Sequence, residues 1–242
     1  MDGSRGLAIV TGASSGIGAA TARRLEEAGY SLLLLARRQA ELDELGLSRA
    51  LCRSLDVRDQ AAVAQTIEEA TDQYGEPEVL VNNAGIMPLA QVVDQTSQEW
   101  KDLFDTNCVA LLQCSQLVLP GMMARGRGTI VNIGSIAGHS LYNNHTAYCG
   151  TKFAVGAISE GLRREAAAAG VRITLVSPGL VATDLLVTTR SSEIRDSYNA
   201  YAESIGGKLD PTTVASAILY ALEQPPHVCI REIVLAPTKQ QG

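Results

Sequence analysis

A phenol and an ammonium one helical turn apart give the first chemical signal in the chain. They are Tyr148 and Lys152, in Tyr148-Cys149-Gly150-Thr151-Lys152. Residues four apart on a helix share a face, so both can reach one ligand. A free tyrosine titrates near ~10, and proton exchange near neutrality needs its phenolate favoured by several units, at ~1.4 kcal/mol each. A neighbouring ammonium supplies part of that stabilisation. Such a tyrosine can protonate a developing alkoxide or take the proton of an alcohol. Ser135 follows the apolar run Thr129-Ile130-Val131-Asn132-Ile133, and at the carboxyl end of a strand its hydroxyl can donate to a substrate oxygen as charge builds up. Asn107 falls inside a long helical stretch, where an amide invites a backbone distortion or an ordered water. Each has an ordinary alternative. Tyr-x-x-x-Lys pairs arise by chance in helices, Ser135 can cap a helix, and Asn107 alone is uninformative.

These residues gain weight from a second motif. Leu7-Ala8-Ile9-Val10 leads into Thr11-Gly12-Ala13-Ser14-Ser15-Gly16-Ile17-Gly18, and a small-residue helix with Ala19, Ala20 and Ala22 comes next. A strand, a glycine-rich turn and a helix start make a phosphate cradle. The glycines allow a tight turn and close backbone approach, and the helix N-terminus offers unpaired N–H groups and partial positive charge. The spacing is GxxxGxG, and taken alone it implies only a nucleotide phosphate.

The second strand reads Leu34-Leu35-Ala36-Arg37-Arg38. An acidic residue usually stands at this place when the ribose 2′-hydroxyl is bound. Here two guanidinium groups stand instead, which suit a 2′-phosphate. The expected cofactor is therefore NADP(H), with Arg37 the main contact and Arg38 stacking on adenine. The ordinary alternative is a solvated basic helix start.

The elements that must position these groups follow from hydrophobic patterning. Short apolar runs alternate with longer amphipathic stretches, the signature of βαβ units. Strands are expected near 7–11, 31–36, 51–55, 78–81, 129–133, 172–176 and 232–236, and helices near 16–28, 39–45, 60–73, 98–124, 148–169 and 211–223. This implies an α/β, doubly wound Rossmann fold: a mainly parallel seven-stranded sheet with helices on both faces. One catalytic and dinucleotide-binding domain over 1–242 is expected. Its polar 185–208 segment, with Tyr198, Tyr201 and Gly206-Gly207, is expected to form a mobile helical lid; the alternative is a plain surface excursion.

Aromatic residues are scarce at 4%, so the core must rest on Ala, Val, Ile and Leu. A net charge of -6 argues against broad capture of nucleic acid or anionic membrane. No apolar run approaches the ~20 residues of a membrane span. The five cysteines are odd in number and form no CxxC, so no disulfide framework and no metal site are expected, and a cytoplasmic setting is the simpler one.

Taken in order, these motifs closely resemble the short-chain dehydrogenase/reductase family in its compact form. The matching residues run from 11–18 through Asp56-Val57, Asn82-Asn83-Ala84-Gly85, Asn107, Ser135, Tyr148 and Lys152 to Pro178-Gly179 and Thr183. The resemblance implies a catalytic tetrad of Asn107, Ser135, Tyr148 and Lys152, with Lys152 also bonding the nicotinamide ribose and Asn107 holding a relay water. It implies phosphate contacts from Ser14, Ser15 and Ile17 and adenine contacts from Asp56 and Val57. Asn83, Ala84 and Gly85 would border the adenosine ribose, and Pro178, Gly179, Val181 and Thr183 the carboxamide. It further implies a homo-oligomer, a tetramer before a dimer. Cys149-Gly150-Thr151 departs from the small pair the family often has before lysine, but small residues there keep the helix face open.

The implied reaction interconverts a small-molecule carbonyl and an alcohol. The substrate lining is expected from 136–146, the region after Asn83 and the 185–208 segment. His139 and His145 in that first loop either bond a polar substrate or are simply solvated. A nucleotide-binding sensor or scaffold that has lost the chemistry stands as the alternative function.

Overall fold

The computed structural model describes residues 5–241; the ends of the expected 1–242 unit, residues 1–4 and 242, lie outside them. Seven strands form one sheet: β1 Leu7–Thr11, β2 Ser31–Ala36, β3 Ala50–Ser54, β4 Pro77–Asn82, β5 Thr129–Ile133, β6 Arg172–Pro178 and β7 Glu232–Leu235. Their order is β3-β2-β1-β4-β5-β6-β7, and every pairing is parallel. The connecting helices are α1 Gly16–Glu27, α2 Gln39–Asp43, α3 Gln60–Tyr74, α4 Ser97–Phe104, α5 Ala110–Arg125, α6 Thr146–Ala166, α7 Ser192–Ser204 and α8 Pro211–Leu222.

Parallel strands covered on both faces read as unbroken apolar runs. Ser31-Leu32-Leu33-Leu34-Leu35-Ala36 is such a run, buried at every residue. Alternate side chains then feed two cores. Ala8, Val10, Leu32 and Leu34 pack with Ala22 and Leu25 of α1 and Val214 and Ile218 of α8. Leu7, Ile9, Leu33 and Leu35 pack with Val63 and Ile67 of α3 and Val118 and Met122 of α5.

A buried polar chain crosses the second layer. Asn82 Nδ2 donates to Ser115 Oγ at 3.1 Å and to Asn132 Oδ1 at 2.9 Å. Asn132 Nδ2 donates on to Ser159 Oγ at 2.9 Å. Both hydroxyls donate to a carbonyl one turn back, Leu111 at 2.8 Å and Val155 at 2.7 Å. The chain joins α5, β4, β5 and α6, and its donors are satisfied as buried polar groups require.

The long helix expected over 98–124 is interrupted. A π-turn at Asp105–Val109 separates α4 from α5. The continuous helical stretch Ser97–Arg125 is long and apolar enough to cross a membrane by length and composition, and half of its most apolar window is buried within the fold. The 185–208 segment folds as a 3₁₀ turn, Asp184–Thr188, followed by α7. Most element ends fall within two residues of expectation; α6 differs most at its close, ending at Ala166 before a 3₁₀ turn, Ala167–Ala169.

Candidate active site

The strand order reverses direction between β1 and β4, and doubly wound sheets open a ligand crevice at the carboxyl ends there. A cavity of about 540 Å³ occupies this place. The turn after β1 forms its floor. Gly12 has φ +65°, and a Cβ there would press on Ala84 Cα at 2.8 Å and Asn83 Nδ2 at 2.9 Å. Gly18 does not line the cavity; a Cβ on it would run into the Gly12 carbonyl oxygen, so its role is close packing of α1 against the turn. The cradle thus suits the pyrophosphate of a dinucleotide, with Ser14, Ser15, Gly16 and Ile17 lining it.

Thr11 holds this floor to the neighbouring strand. Its hydroxyl accepts from the backbone N–H of Asn83 and of Ala84, both at 3.0 Å. Asn83 Nδ2 donates back to the carbonyls of Thr11 at 2.9 Å and Gly12 at 3.1 Å. The Asn83 amide is therefore spent on shaping the turn, while Asn83, Ala84 and Gly85 still line the cavity.

At the end beside β2 and β3, Arg37, Arg38, Asp56 and Val57 line the wall. Arg38 Nη2 donates to Ser14 Oγ at 3.1 Å and Ser15 Oγ at 2.8 Å, and its Nη1 lies 3.4 Å from Glu41. Arg58 is a lining residue that motif reading missed. It clamps Asp56 through contacts of 2.7–3.1 Å and reaches Asp102 of α4 at 2.9 Å. Hydrogen bonding from Arg58 holds the Asp56 carboxyl below the usual carboxylate range, and Arg37 adds to the effect. Only its offset of two from Asp56 could have flagged it.

At the opposite end, Ser135, Tyr148 and Lys152 meet. Ser135 follows β5 and has an extended backbone, and its Oγ accepts from Ala137 N–H at 3.1 Å. It lines the same end of the cavity as Tyr148 and Lys152. Lys152 Nζ lies 5.8 Å from the centre of the Tyr148 ring and donates to the Ile133 carbonyl at 2.9 Å. Burial pushes the Tyr148 phenol up, with the nearby Ser135 hydroxyl opposing it. Burial also lowers Lys152 to about 8. The chain's own groups thus favour the uncharged form of both, and a further positive charge at the site would favour the phenolate.

Asn107 sits in the π-turn, behind the cavity wall. Its Nδ2 donates to the Ile86 carbonyl and to Thr151 Oγ1, both at 3.1 Å, and its Oδ1 accepts from Ile86 N–H at 2.9 Å. Of the two outcomes expected for a mid-helix amide, the backbone distortion is present. The side chain itself braces Ile86 against the residue preceding Lys152.

The remaining expected residues converge as well. Pro178, Gly179, Val181 and Thr183 line the crevice after β6. Gln240, which carries no motif, reaches in from the chain's end and its Oε1 accepts from Leu180 N–H at 2.9 Å. The two histidines part ways. His139 pairs with Glu232 at 2.7 Å outside the cavity, whereas His145 lines it with Tyr142, Tyr198 and Tyr201.

A sheet of this order with a phosphate cradle at its switch point places the chain in the doubly wound dinucleotide-binding class. Residues 6–194 match the family model described as short chain dehydrogenase, and the chain belongs to that family of oxidoreductases. Glycine betaine reductase ATRR of Emericella nidulans is 39% identical over 239 residues, 96% of this chain; the chain spans only 18% of that protein's length. Uncharacterized oxidoreductase SSP1627 of Staphylococcus saprophyticus is 35% identical over 97% of this chain and 96% of its own. Among solved structures, the closed form of serine dehydrogenase complexed with NADP+ superposes with a TM-score of 0.88 at 30% identity, covering 98% of this chain and 96% of that one.

Proposed function

We propose that the chain is an NADP(H)-dependent oxidoreductase that interconverts a small carbonyl compound and its alcohol, with Tyr148 as general acid and base. The observation that carries this reading is the gathering of Ser135, Tyr148 and Lys152 at one end of a single crevice whose other end holds Arg37 and Arg38. The similar serine dehydrogenase was solved with NADP+, which supports the choice of cofactor.

The nicotinamide supplies or accepts the hydride. In the reducing direction, which we favour, the Ser135 hydroxyl donates to the substrate carbonyl oxygen and Tyr148 gives that oxygen its proton. Lys152 holds the ribose and offsets the charge left on the phenol oxygen, and Asn107 keeps Lys152 and Thr151 in register. Gly12, Ser14, Ser15, Gly16 and Ile17 receive the pyrophosphate on backbone N–H groups and hydroxyls, with Gly18 supporting the turn. Arg37 takes the 2′-phosphate, and Arg38 supports the cofactor from beside Ser14 and Ser15. Asp56 and Val57 receive adenine. Pro178, Gly179, Val181 and Thr183 orient the carboxamide. We further infer a homo-oligomer, a tetramer ahead of a dimer, in the cytoplasm; its cysteines are all free.

The test is NADPH oxidation at 340 nm over a panel of aldehydes and ketones. Turnover that disappears in Tyr148→Phe while NADP+ still binds supports the enzyme. NADP+ binding without turnover of any carbonyl or alcohol would favour the sensor or scaffold.

A further inference from the structure

Four of the chain's seven tyrosines, Tyr142, Tyr148, Tyr198 and Tyr201, line one cavity in a protein with few aromatic residues. His145 sits among them. Its ring lies 5.7 Å from Tyr142, stacks on Tyr198 at 6.4 Å with planes 21° apart, and meets the edge of Tyr148 at 6.3 Å. Three residues before the general acid, it borders the space where the reacting carbon must sit.

The hydrogen bonding of His145 settles its tautomer. Nδ1 lies 2.6 Å from the Asn143 carbonyl oxygen. A carbonyl only accepts, so Nδ1 carries the hydrogen and Nε2 is left with a bare lone pair. Asn144 between them has φ 64°, in the left-handed region, which bends the loop so that the ring returns to its neighbour's carbonyl. Burial keeps the imidazole below its ordinary value and so neutral. The second unsatisfied group is independent of the first. The Tyr142 hydroxyl is buried and has no hydrogen-bond partner among the described residues.

The surrounding wall is apolar, with Ile86, Met87, Leu185 and Leu186. A plain alkyl carbonyl would strip water from Nε2 and the Tyr142 hydroxyl and return nothing. A carboxylate has no hydrogen to give Nε2. An ammonium would share this end with Lys208, whose Nζ lies 5.6 Å from the Tyr198 ring centre and is held by Asn199 Oδ1 at 2.8 Å.

Resting on the carbonyl–alcohol reading above, we propose that the substrate is a neutral carbonyl compound with a hydroxyl one or two carbons from the reacting centre, that hydroxyl donating to Nε2 of His145 and accepting from Tyr142.

The experiment compares kcat/KM for 1-hydroxypropan-2-one against butan-2-one, and for 4-hydroxybutan-2-one against pentan-2-one. A site built around a hydroxyl discriminates strongly against the analogue lacking it, so wild type should favour the hydroxylated member of at least one pair by roughly tenfold or more. His145→Phe keeps a stacking ring and removes Nε2, and the preference should fall to near one. Tyr142→Phe should lower it in part. A parallel readout does not need turnover. With three histidines in the chain, the ¹⁵N resonance of His145 Nε2 should move toward the hydrogen-bonded range on adding 1-hydroxypropan-2-one with NADP+, and stay put with butan-2-one. Equal rates within both pairs, or a preference that survives in folded His145→Phe, would overturn the proposal. Inactivity on every ketone would instead count against the carbonyl–alcohol reading, and the resonance would still decide whether His145 receives a hydroxyl.

Discussion

Lys152 gives its one observed hydrogen bond to the Ile133 carbonyl, at 2.9 Å, a neutral acceptor that orients the ammonium without cancelling its charge. Burial therefore lowers Lys152 from the ordinary 10.5 to about 8. Between those values the unfolded chain holds a proton that the folded one has released, so stability rises with pH across that window. Below about pH 8 the full cost is present, on the order of 3 kcal/mol at ~1.4 kcal/mol per pH unit. Lys152→Met should be more stable than wild type at pH 7 by up to that amount, with the difference closing as the pH is raised. Urea unfolding of both proteins from pH 7 to 10.5 checks it; a gap that widens with pH would contradict the assignment.

Arg37 and Arg38 should separate by role. A charge-assisted hydrogen bond contributes about 1.5–3 kcal/mol, so Arg37→Asp should raise the KM for NADPH by about thirtyfold or more and bring NADH level with it. Arg38 is tied to Ser14 and Ser15, beside the pyrophosphate that both cofactors share. Arg38→Ala should weaken NADPH and NADH together. Initial-rate kinetics with each cofactor distinguish the two patterns.

The buried chain from Ser115 to Ser159 should fail as a unit. Asn132→Leu removes the acceptor of Asn82 and the donor to Ser159, leaving buried polar groups unpaired at about 1–3 kcal/mol each. A combined Asn82→Leu/Asn132→Leu variant should lose less than the two single losses added. Chemical denaturation of the three proteins measures the coupling.

Gly18→Val tests the cradle. Its side chain would press on Asn83 Nδ2, only 2.6 Å from a Cβ at that position, and so unseat the amide that shapes the phosphate turn. The Kd for NADP+, followed by quenching of protein fluorescence, should rise roughly tenfold or more, a change of ~1.4 kcal/mol.

The strands and the turn were legible because their determinants are local. An unbroken apolar run such as 31–36 has few alternatives, and glycine spacing beside a strand end declares the cradle. Arg37 and Arg38 were legible as a charge pattern, but the direction of the Arg38 guanidinium depends on Ser14 and Ser15, more than twenty residues away. Arg58 and Gln240 stayed hidden for the same reason: each reaches the crevice through contacts that no sequence period encodes. The break in the long helix was foreseen as one of two fates for Asn107, while the partners of its amide, Ile86 and Thr151, lie too far along the chain for any sequence period to reveal. For His139 and His145, neighbours in one polar loop, the decision lay with Glu232 on β7, which claims the first.

The wide turn at Asp105–Val109 has a consequence for how this chain can change in length. A turn closed from i to i+5 winds less per residue than the ~100° of an α-helix, so it takes up one surplus residue locally and leaves the faces of the flanking helices in step. Deleting one residue of the turn would let the rod close into ordinary helix with Phe104 and Leu111 facing much as before, while the amide of Asn107 would leave Ile86 and Thr151. Such a deletion should spare the packing of the rod and strike the brace behind Lys152.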